Sequence, residues 1–78
     1  MTNIDGYSLL ANAIVSQAAK DYKDNLLLLH KNPNDKKAQV ERRKLEKFFR
    51  SSWFDILTQL DGEVLLQKLQ QTVREEVT

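Results

Sequence analysis

The sequence contains no cysteine and little glycine or proline. Without cysteine, the chain forms no disulfide and offers no thiolate to a metal ion. The absence of cysteine fits a reducing cytoplasm, although cysteine-free secreted proteins also exist. Glycine occurs only at positions 6 and 62, and proline only at 33. Because both residues interrupt helices, their scarcity leaves long stretches free to be helical.

Long hydrophobic runs and targeting signals are also lacking. The longest uninterrupted apolar run covers residues 26–29, far short of the roughly 18 residues that a membrane-spanning helix needs. Residues 1–7 carry Asp5 and no basic side chain, which is unlike a secretory signal peptide. We therefore expect a soluble, cytoplasmic protein that does not associate with a membrane.

Helical periodicity begins near the start of the chain. Apolar residues recur at intervals of three and four over residues 4–30 and predict a long amphipathic helix. Asn3 and Asp5 are both candidates to cap its first turn, because their short polar side chains accept hydrogen bonds from free backbone amides.

The segment KNPND at residues 31–35 predicts the end of this helix and the start of another. The residue before a proline is pushed out of the α region, so the first helix should end by Asn32. Pro33 suits the first turn of a second helix capped by Asn32, with Asn34 as the alternative cap. The second helix should run to residue 50 and pack antiparallel to the first.

Two shorter helices are predicted to follow. Ser52 is the predicted cap of the third helix, with Asp55 completing a pair that resembles a capping box, and this helix extends to about residue 60. Asp61 is the predicted cap of the fourth helix, and Glu63 favours the positive end of that helix.

The expected fold is therefore all-α: a long antiparallel helical hairpin plus two shorter helices, forming a small helical bundle with residues 1–78 as a single domain. The sequence leaves open whether the bundle is closed or the hairpin is open and dimerises. We expect Glu41 at the edge of the core beside a cation, and Trp53→Ala to cost about 3–5 kcal/mol. The predicted core residues are Ile14, Ala18, Tyr22, Leu26, Leu29, Leu45, Phe48, Phe49, Trp53, Leu57, Leu65 and Leu69.

No catalytic constellation is recognisable in the sequence. The only histidine, His30, stands at the predicted end of the first helix, where an imidazole favours the helix dipole, and it has no second histidine or cysteine to complete a zinc site. The four serines lack the context of an activated nucleophile, and the two glycines are too far apart for a phosphate-binding loop. The sequence predicts no enzymatic activity, no cofactor and no metal.

Charge is unevenly distributed although the net charge is only +1. Residues 31–50 carry eight basic and three acidic groups, and the segments on either side are net negative. The second helix therefore presents a cationic band that can line a phosphate backbone, or that is simply a solvated face. The candidate nucleic-acid-binding residues are Lys36, Lys37, Arg43, Lys44, Lys47 and Arg50.

Four consecutive leucines at residues 26–29 cannot all face one side of a helix. Leu27 or Leu28 must be exposed, be covered by the fourth helix or lie in an interface, so these two are the candidate interface residues. Symmetric self-association is a simple way to cover them.

Residues 48–63, with the sequence FFRSSWFDILTQLDGE, combine tryptophan, paired phenylalanine and Asp-Gly. Together with AAKDY at residues 18–22 and KNPN at residues 31–34, this pattern resembles small helical proteins encoded by prophages and phages of Gram-positive bacteria. The resemblance covers residues 15–69. It implies a phage setting in the bacterial cytoplasm, with no defined activity and no functional residues.

Taken together, these features predict a non-enzymatic binding module that acts by protein–protein interaction, with another protein or a second copy of the chain as its partner. The alternative hypothesis is a nucleic-acid-binding accessory or regulatory protein that uses the basic face of the second helix. A membrane and a metal ion are not expected partners.

Overall fold

The structure, a computed structural model, describes residues 6–77. It confirms the predicted all-α fold. The caps predicted at Asn3 and Asp5 lie outside the described residues, and the third helix ends before the predicted residue 60. The four helices are α1 (Gly6–Lys31), α2 (Lys36–Phe49), α3 (Ser52–Leu57) and α4 (Gly62–Val77).

Helices α1 and α2 form the predicted antiparallel hairpin. The side-chain amide of Asn25 donates a hydrogen bond to the carbonyl oxygen of Ala38 across 3.1 Å. Further along the hairpin, Ala18 of α1 and Leu45 of α2 line one groove. In this register, the last turn of α2 and the start of α3 lie beside the N-terminal half of α1. Helix α3 packs against both members of the hairpin, and α4 packs against them as well.

The cap of α2 differs from both predicted candidates. Asp35 is the N-cap, because its Oδ1 accepts a hydrogen bond from the backbone amide of Ala38 at 3.0 Å. A carboxylate here satisfies a free amide of the first turn and also places negative charge at the positive end of the helix. The predicted caps at Asn32 and Asn34 are therefore wrong, and Pro33 lies in the turn before the helix.

A single serine hydroxyl joins α2 to α3. The Oγ of Ser51 donates a hydrogen bond to the carbonyl oxygen of Phe48 at 2.6 Å and accepts one from the backbone amide of Phe54 at 3.2 Å. It therefore closes the end of α2 and caps α3 at the same time. The predicted cap at Ser52, with Asp55 as its partner, is wrong by one residue.

The start of α4 confirms the predicted cap. The Oδ1 of Asp61 accepts a hydrogen bond from the backbone amide of Glu63 at 2.9 Å. The adjacent Gly62 is buried against the end of α2, and a Cβ atom at this position would overlap the carbonyl oxygen of Phe49. Since any other residue carries that atom, only glycine allows α4 to begin this close to α2.

The core is centred on aromatic rings where the four helices meet. Phe49 lies edge-on to Tyr22, Phe48 and Phe54, with ring centroids 6.0, 5.4 and 5.5 Å away. Edge-to-face pairs of this kind stabilise a core by about 0.5–1.5 kcal/mol each, beyond the effect of burial alone. The largest fully buried side chains are Tyr22, Phe49, Phe54 and Leu66.

Most predicted core residues are in or against the core, but Trp53 is not. It is 52% exposed, and its neighbour Phe54 is fully buried. Adjacent residues of a helix point about 100° apart, so a one-residue error in the cap exchanges the two rings. Ile14 and Leu29 are only half-buried. Six further apolar residues that the predicted core does not include are buried: Ala11, Val15, Ala38, Phe54, Leu66 and Val73.

A hydrogen-bond network ties three helices together through Tyr22. Its hydroxyl donates to the Oε2 of Glu46 on α2 at 2.7 Å and accepts from the side-chain amide of Gln70 on α4 at 3.0 Å. Glu46 also pairs with Arg42, 3.8 Å away. Glu46 thus occupies the position predicted for Glu41, which is exposed instead.

Replacing Gly62 with alanine should destabilise the protein. Alanine favours a helix by about 1 kcal/mol over glycine, but the added Cβ would force α4 away from the Phe49 carbonyl, at a cost of about 1–3 kcal/mol or more. We expect a net loss in the free energy of unfolding, measured by urea denaturation and circular dichroism. Gln67→Ala, at an exposed position of the same helix, should stay within about 0.5 kcal/mol of wild type. A Gly62→Ala protein as stable as wild type would contradict the close approach.

Deprotonation of the Tyr22 hydroxyl should also lower the stability of the protein at alkaline pH. Burial raises the pKa of this hydroxyl to about 12, against about 10 in an unfolded chain. Because the folded state holds the hydroxyl proton more tightly than the unfolded state, the protonated Tyr22 contributes to stability. This stabilisation is complete below about pH 10 and is lost as the pH rises from about 10 to 12. Tyr22→Phe should lower stability by about 1–3 kcal/mol at neutral pH and should flatten the alkaline loss. Equal alkaline losses in wild type and Tyr22→Phe would exclude this residue as the cause.

Candidate interaction surfaces

Five cations occupy the outer side of α2. The inner side of this helix is marked by Ala38, Leu45 and Phe49, which are buried. At 100° per residue, the five basic positions fall on the outer side, and all of them are exposed. The structure thus brings together five of the six residues predicted for nucleic-acid binding. We call this set the basic α2 face: Lys36, Lys37, Arg43, Lys44 and Lys47.

Carboxylates do not interrupt the basic α2 face. Glu41 and Glu46 lie at its two borders when α2 is viewed down its axis. Within the part of the chain that the structure describes, no ion pair involves any of the five cations. By contrast, Lys20 on α1 pairs with Asp24 at 3.0 Å.

Arg50, the sixth predicted residue, is engaged elsewhere. Its Nε and Nη2 donate to both carboxylate oxygens of Glu63 at 2.9–3.1 Å, and its Nη1 lies 4.0 Å from Glu46. The hydrogen bonds from Arg50 lower the pKa of the Glu63 carboxyl, and they raise the pKa of the Arg50 guanidinium itself. Since two carboxylates offset its charge, Arg50 links α2 to α4 and does not add to the basic α2 face.

The side chains of the four leucines at residues 26–29 point in several directions, as those of four consecutive helical residues must. Leu26 packs against the core, and Leu27 and Leu29 are half-buried. Leu28 is 46% exposed and lines a shallow cleft between α1 and α2. Of the two candidate interface residues, Leu28 is therefore the more accessible.

A second exposed apolar surface, which was not predicted from the sequence, lies at α3. Trp53 and Ile56 stand three residues apart, so they are neighbours on one face of the helix. Leu60 follows in the linker to α4. These three side chains are 52%, 64% and 57% exposed, respectively. We call these three residues the apolar α3 surface. The register of the hairpin places the exposed side chain of Leu10 at the same end of the molecule.

An open groove between α1 and α2 accounts for the half-burial of two predicted core residues. Ile14 and Phe48 line it together with Ala18 and Leu45, and Asp21 lies at its polar edge. Its volume is about 500 Å³.

Among residues 6–77, no three histidine, cysteine, aspartate or glutamate side chains come together as a group that could hold a metal ion. The helices of this part of the chain include none that combines the length and the apolar character needed to cross a membrane. His30 is exposed at the end of α1, beside a shallow cleft that α1 forms with α4.

No family model matches the chain, and comparisons with curated proteins and with solved structures give no match. The class that the structure defines is a small all-α bundle with four helices in the described residues. Because a fold does not by itself specify an activity, the exposed surfaces of this bundle are the features that bear on its function.

The exchange of Trp53 and Phe54 can be tested by truncating each ring. Phe54→Ala should cost about 3–5 kcal/mol, as expected for a buried aromatic side chain, and Trp53→Ala less than about 1 kcal/mol, because its ring is half in solvent. The free energy of unfolding of both variants is measured by urea denaturation monitored by circular dichroism, since this signal does not rely on tryptophan fluorescence. Equal losses of stability, or a larger loss for Trp53→Ala, would mean that the ring of Trp53 is buried in the core as well as, or instead of, that of Phe54.

Proposed function

We propose that this protein is a non-enzymatic binding module that acts by protein–protein interaction through the apolar α3 surface. The observation that carries the proposal is the joint exposure of Trp53, Ile56 and Leu60. Large apolar side chains that are exposed together, rather than singly, are characteristic of interaction sites. Tryptophan in particular is enriched among the residues that dominate binding energy.

Packing and two helix caps fix the position of α3, which favours binding. About 100° around α3 from the exposed residue before each of them, Phe54 is fully buried and Leu57 packs against the core. The Ser51 hydroxyl fixes the start of α3, and the Asp61 cap fixes the start of the next helix. A surface that is already ordered loses little conformational entropy when a partner binds, so more of the interaction energy appears as affinity.

Exposed polar residues flank the members of the apolar α3 surface in the sequence. Ser52, Asp55, Gln59 and Asp61 are all exposed next to its three apolar members. An apolar centre with a polar border is the common arrangement of protein–protein interfaces. The resemblance of residues 48–63 to proteins of phages and prophages supports a host or phage protein as the partner, in the bacterial cytoplasm.

The proposal is tested by making the apolar α3 surface polar. Trp53→Ser with Ile56→Ser should abolish partner binding and leave the melting temperature nearly unchanged. The wild-type protein is first measured by light scattering for self-association and then used to capture partners from a bacterial host lysate. A recovered partner is purified and titrated against wild type, where the emission of Trp53 should shift to shorter wavelength as its indole loses contact with water.

The control is Val40→Ser, which makes polar an exposed apolar residue of α2 and should leave binding intact. Leu28→Ser tests the surface that the leucine run predicted. If the Trp53 and Ile56 variant binds the partner as tightly as wild type, or if wild type is monomeric and captures no protein, the proposal is wrong.

A further inference from the structure

We infer that the basic α2 face binds duplex DNA through its phosphate backbone. This inference goes beyond the proposed protein interaction and uses a different surface. It rests on three observations: among the described residues the cations have no carboxylate partners, they lie in two rows along one helix, and the surface between the rows is nearly free of large apolar side chains.

The cations of the basic α2 face are concentrated and uncompensated. Elsewhere in the described residues, Lys20 pairs with Asp24, and Lys23 lies 3.6 Å from Glu76. On α2, like charges stand side by side and must be screened by solvent anions. DNA phosphates can replace those anions, and the DNA in turn releases its own condensed cations, which is the main source of affinity in phosphate-backbone binding.

The positions of the cations suit a groove of duplex DNA. Lys36, Arg43 and Lys47 form one row that spans about 16 Å along the helix, and Lys37 and Lys44 form a second row about 100° around it. A helix with its side chains is about 10–12 Å across, and the major groove is about 12 Å wide. The two rows can therefore reach the phosphates on both sides of the groove.

A lipid surface fits the same face less well. Helices that lie on membranes insert large apolar side chains between the lipids, but the exposed apolar residue between the two rows is Val40. Duplex DNA carries one negative charge per about 1.7 Å of its axis. About ten phosphates therefore lie within the length of the longer row, enough for every cation.

The contacts should be with phosphates rather than with particular bases. Four of the five cations are lysines, whose flexible point charges suit phosphate oxygens, and the amide group of Gln39, a side chain at the border of the face that could read adenine, already donates to the carbonyl oxygen of Pro33 at 2.8 Å. We therefore expect unrelated duplex sequences to bind with similar affinity.

The test is the salt dependence of binding to a labelled duplex of about 20 base pairs, measured by fluorescence anisotropy. Five phosphate contacts predict a slope of about −4.5 for log K against log salt concentration, which is a loss of about 500-fold in affinity between 50 and 200 mM salt. Lys36→Gln with Arg43→Gln and Lys47→Gln should reduce the slope to about −1.8.

A matched control removes the same amount of charge from other helices. Lys20→Gln with Lys23→Gln and Lys68→Gln should keep the wild-type slope. The Trp53→Ser, Ile56→Ser protein should also bind DNA normally, so that the two proposals fail or succeed separately. Circular dichroism and melting temperature establish that each variant is folded.

Three results would overturn the inference. One is no binding of wild type to the duplex at about 50 mM salt, where phosphate contacts are strong. Another is the same slope for the α2 variant and the matched control. The third is binding to vesicles of phosphatidylserine and phosphatidylcholine in preference to DNA, which would assign the basic α2 face to a membrane.

Discussion

The hydroxyl of Tyr22 is the point on which the arrangement of the helices depends. It is buried between Glu46 of α2 and Gln70 of α4, with a hydrogen bond to each. A buried hydroxyl is costly unless it is paired, so neither helix can slide or rotate without leaving a polar group unsatisfied. The bond to Glu46 fixes how α2 is turned about its axis. With Glu46 held towards α1, the lysines and Arg43 on the other side of α2 face solvent.

A second constraint comes from the close approach of α4 to the end of α2. Gly62 lies against the Phe49 carbonyl, and the Ser51 hydroxyl closes α2 and caps α3, so α3 is confined to a tight corner. This short helix has apolar residues on two neighbouring faces. The corner has room to bury only one of these faces. Phe54 goes inside, and Trp53 remains outside. The apolar α3 surface is thus a consequence of how the corner is built.

The parts of the fold that sequence could predict are those with a long repeating pattern. The hairpin and the outward direction of the α2 cations follow from periodicity over many residues. The pattern fails where the segment is short or the signals compete. Adjacent Ser51 and Ser52 are equally good caps, and the wrong choice exchanges Trp53 with Phe54. The pairing of Arg50 with Glu63 joins residues 13 apart in sequence, which no local pattern reveals.

The net charge of +1 suggests weak attraction to nucleic acid, but a net charge does not say where on the surface the charges lie. Acidic residues offset the cations away from the basic α2 face: Glu63 holds Arg50, Asp24 holds Lys20 and Glu76 lies beside Lys23. In the described residues Lys31 and Lys68 also have no ion pair, but five such cations are gathered on one face of α2. Attraction to a polyanion at physiological salt depends on charge within about 8–10 Å, since more distant charges are screened. A nearly neutral protein can therefore present a strongly basic surface, because the compensation is local.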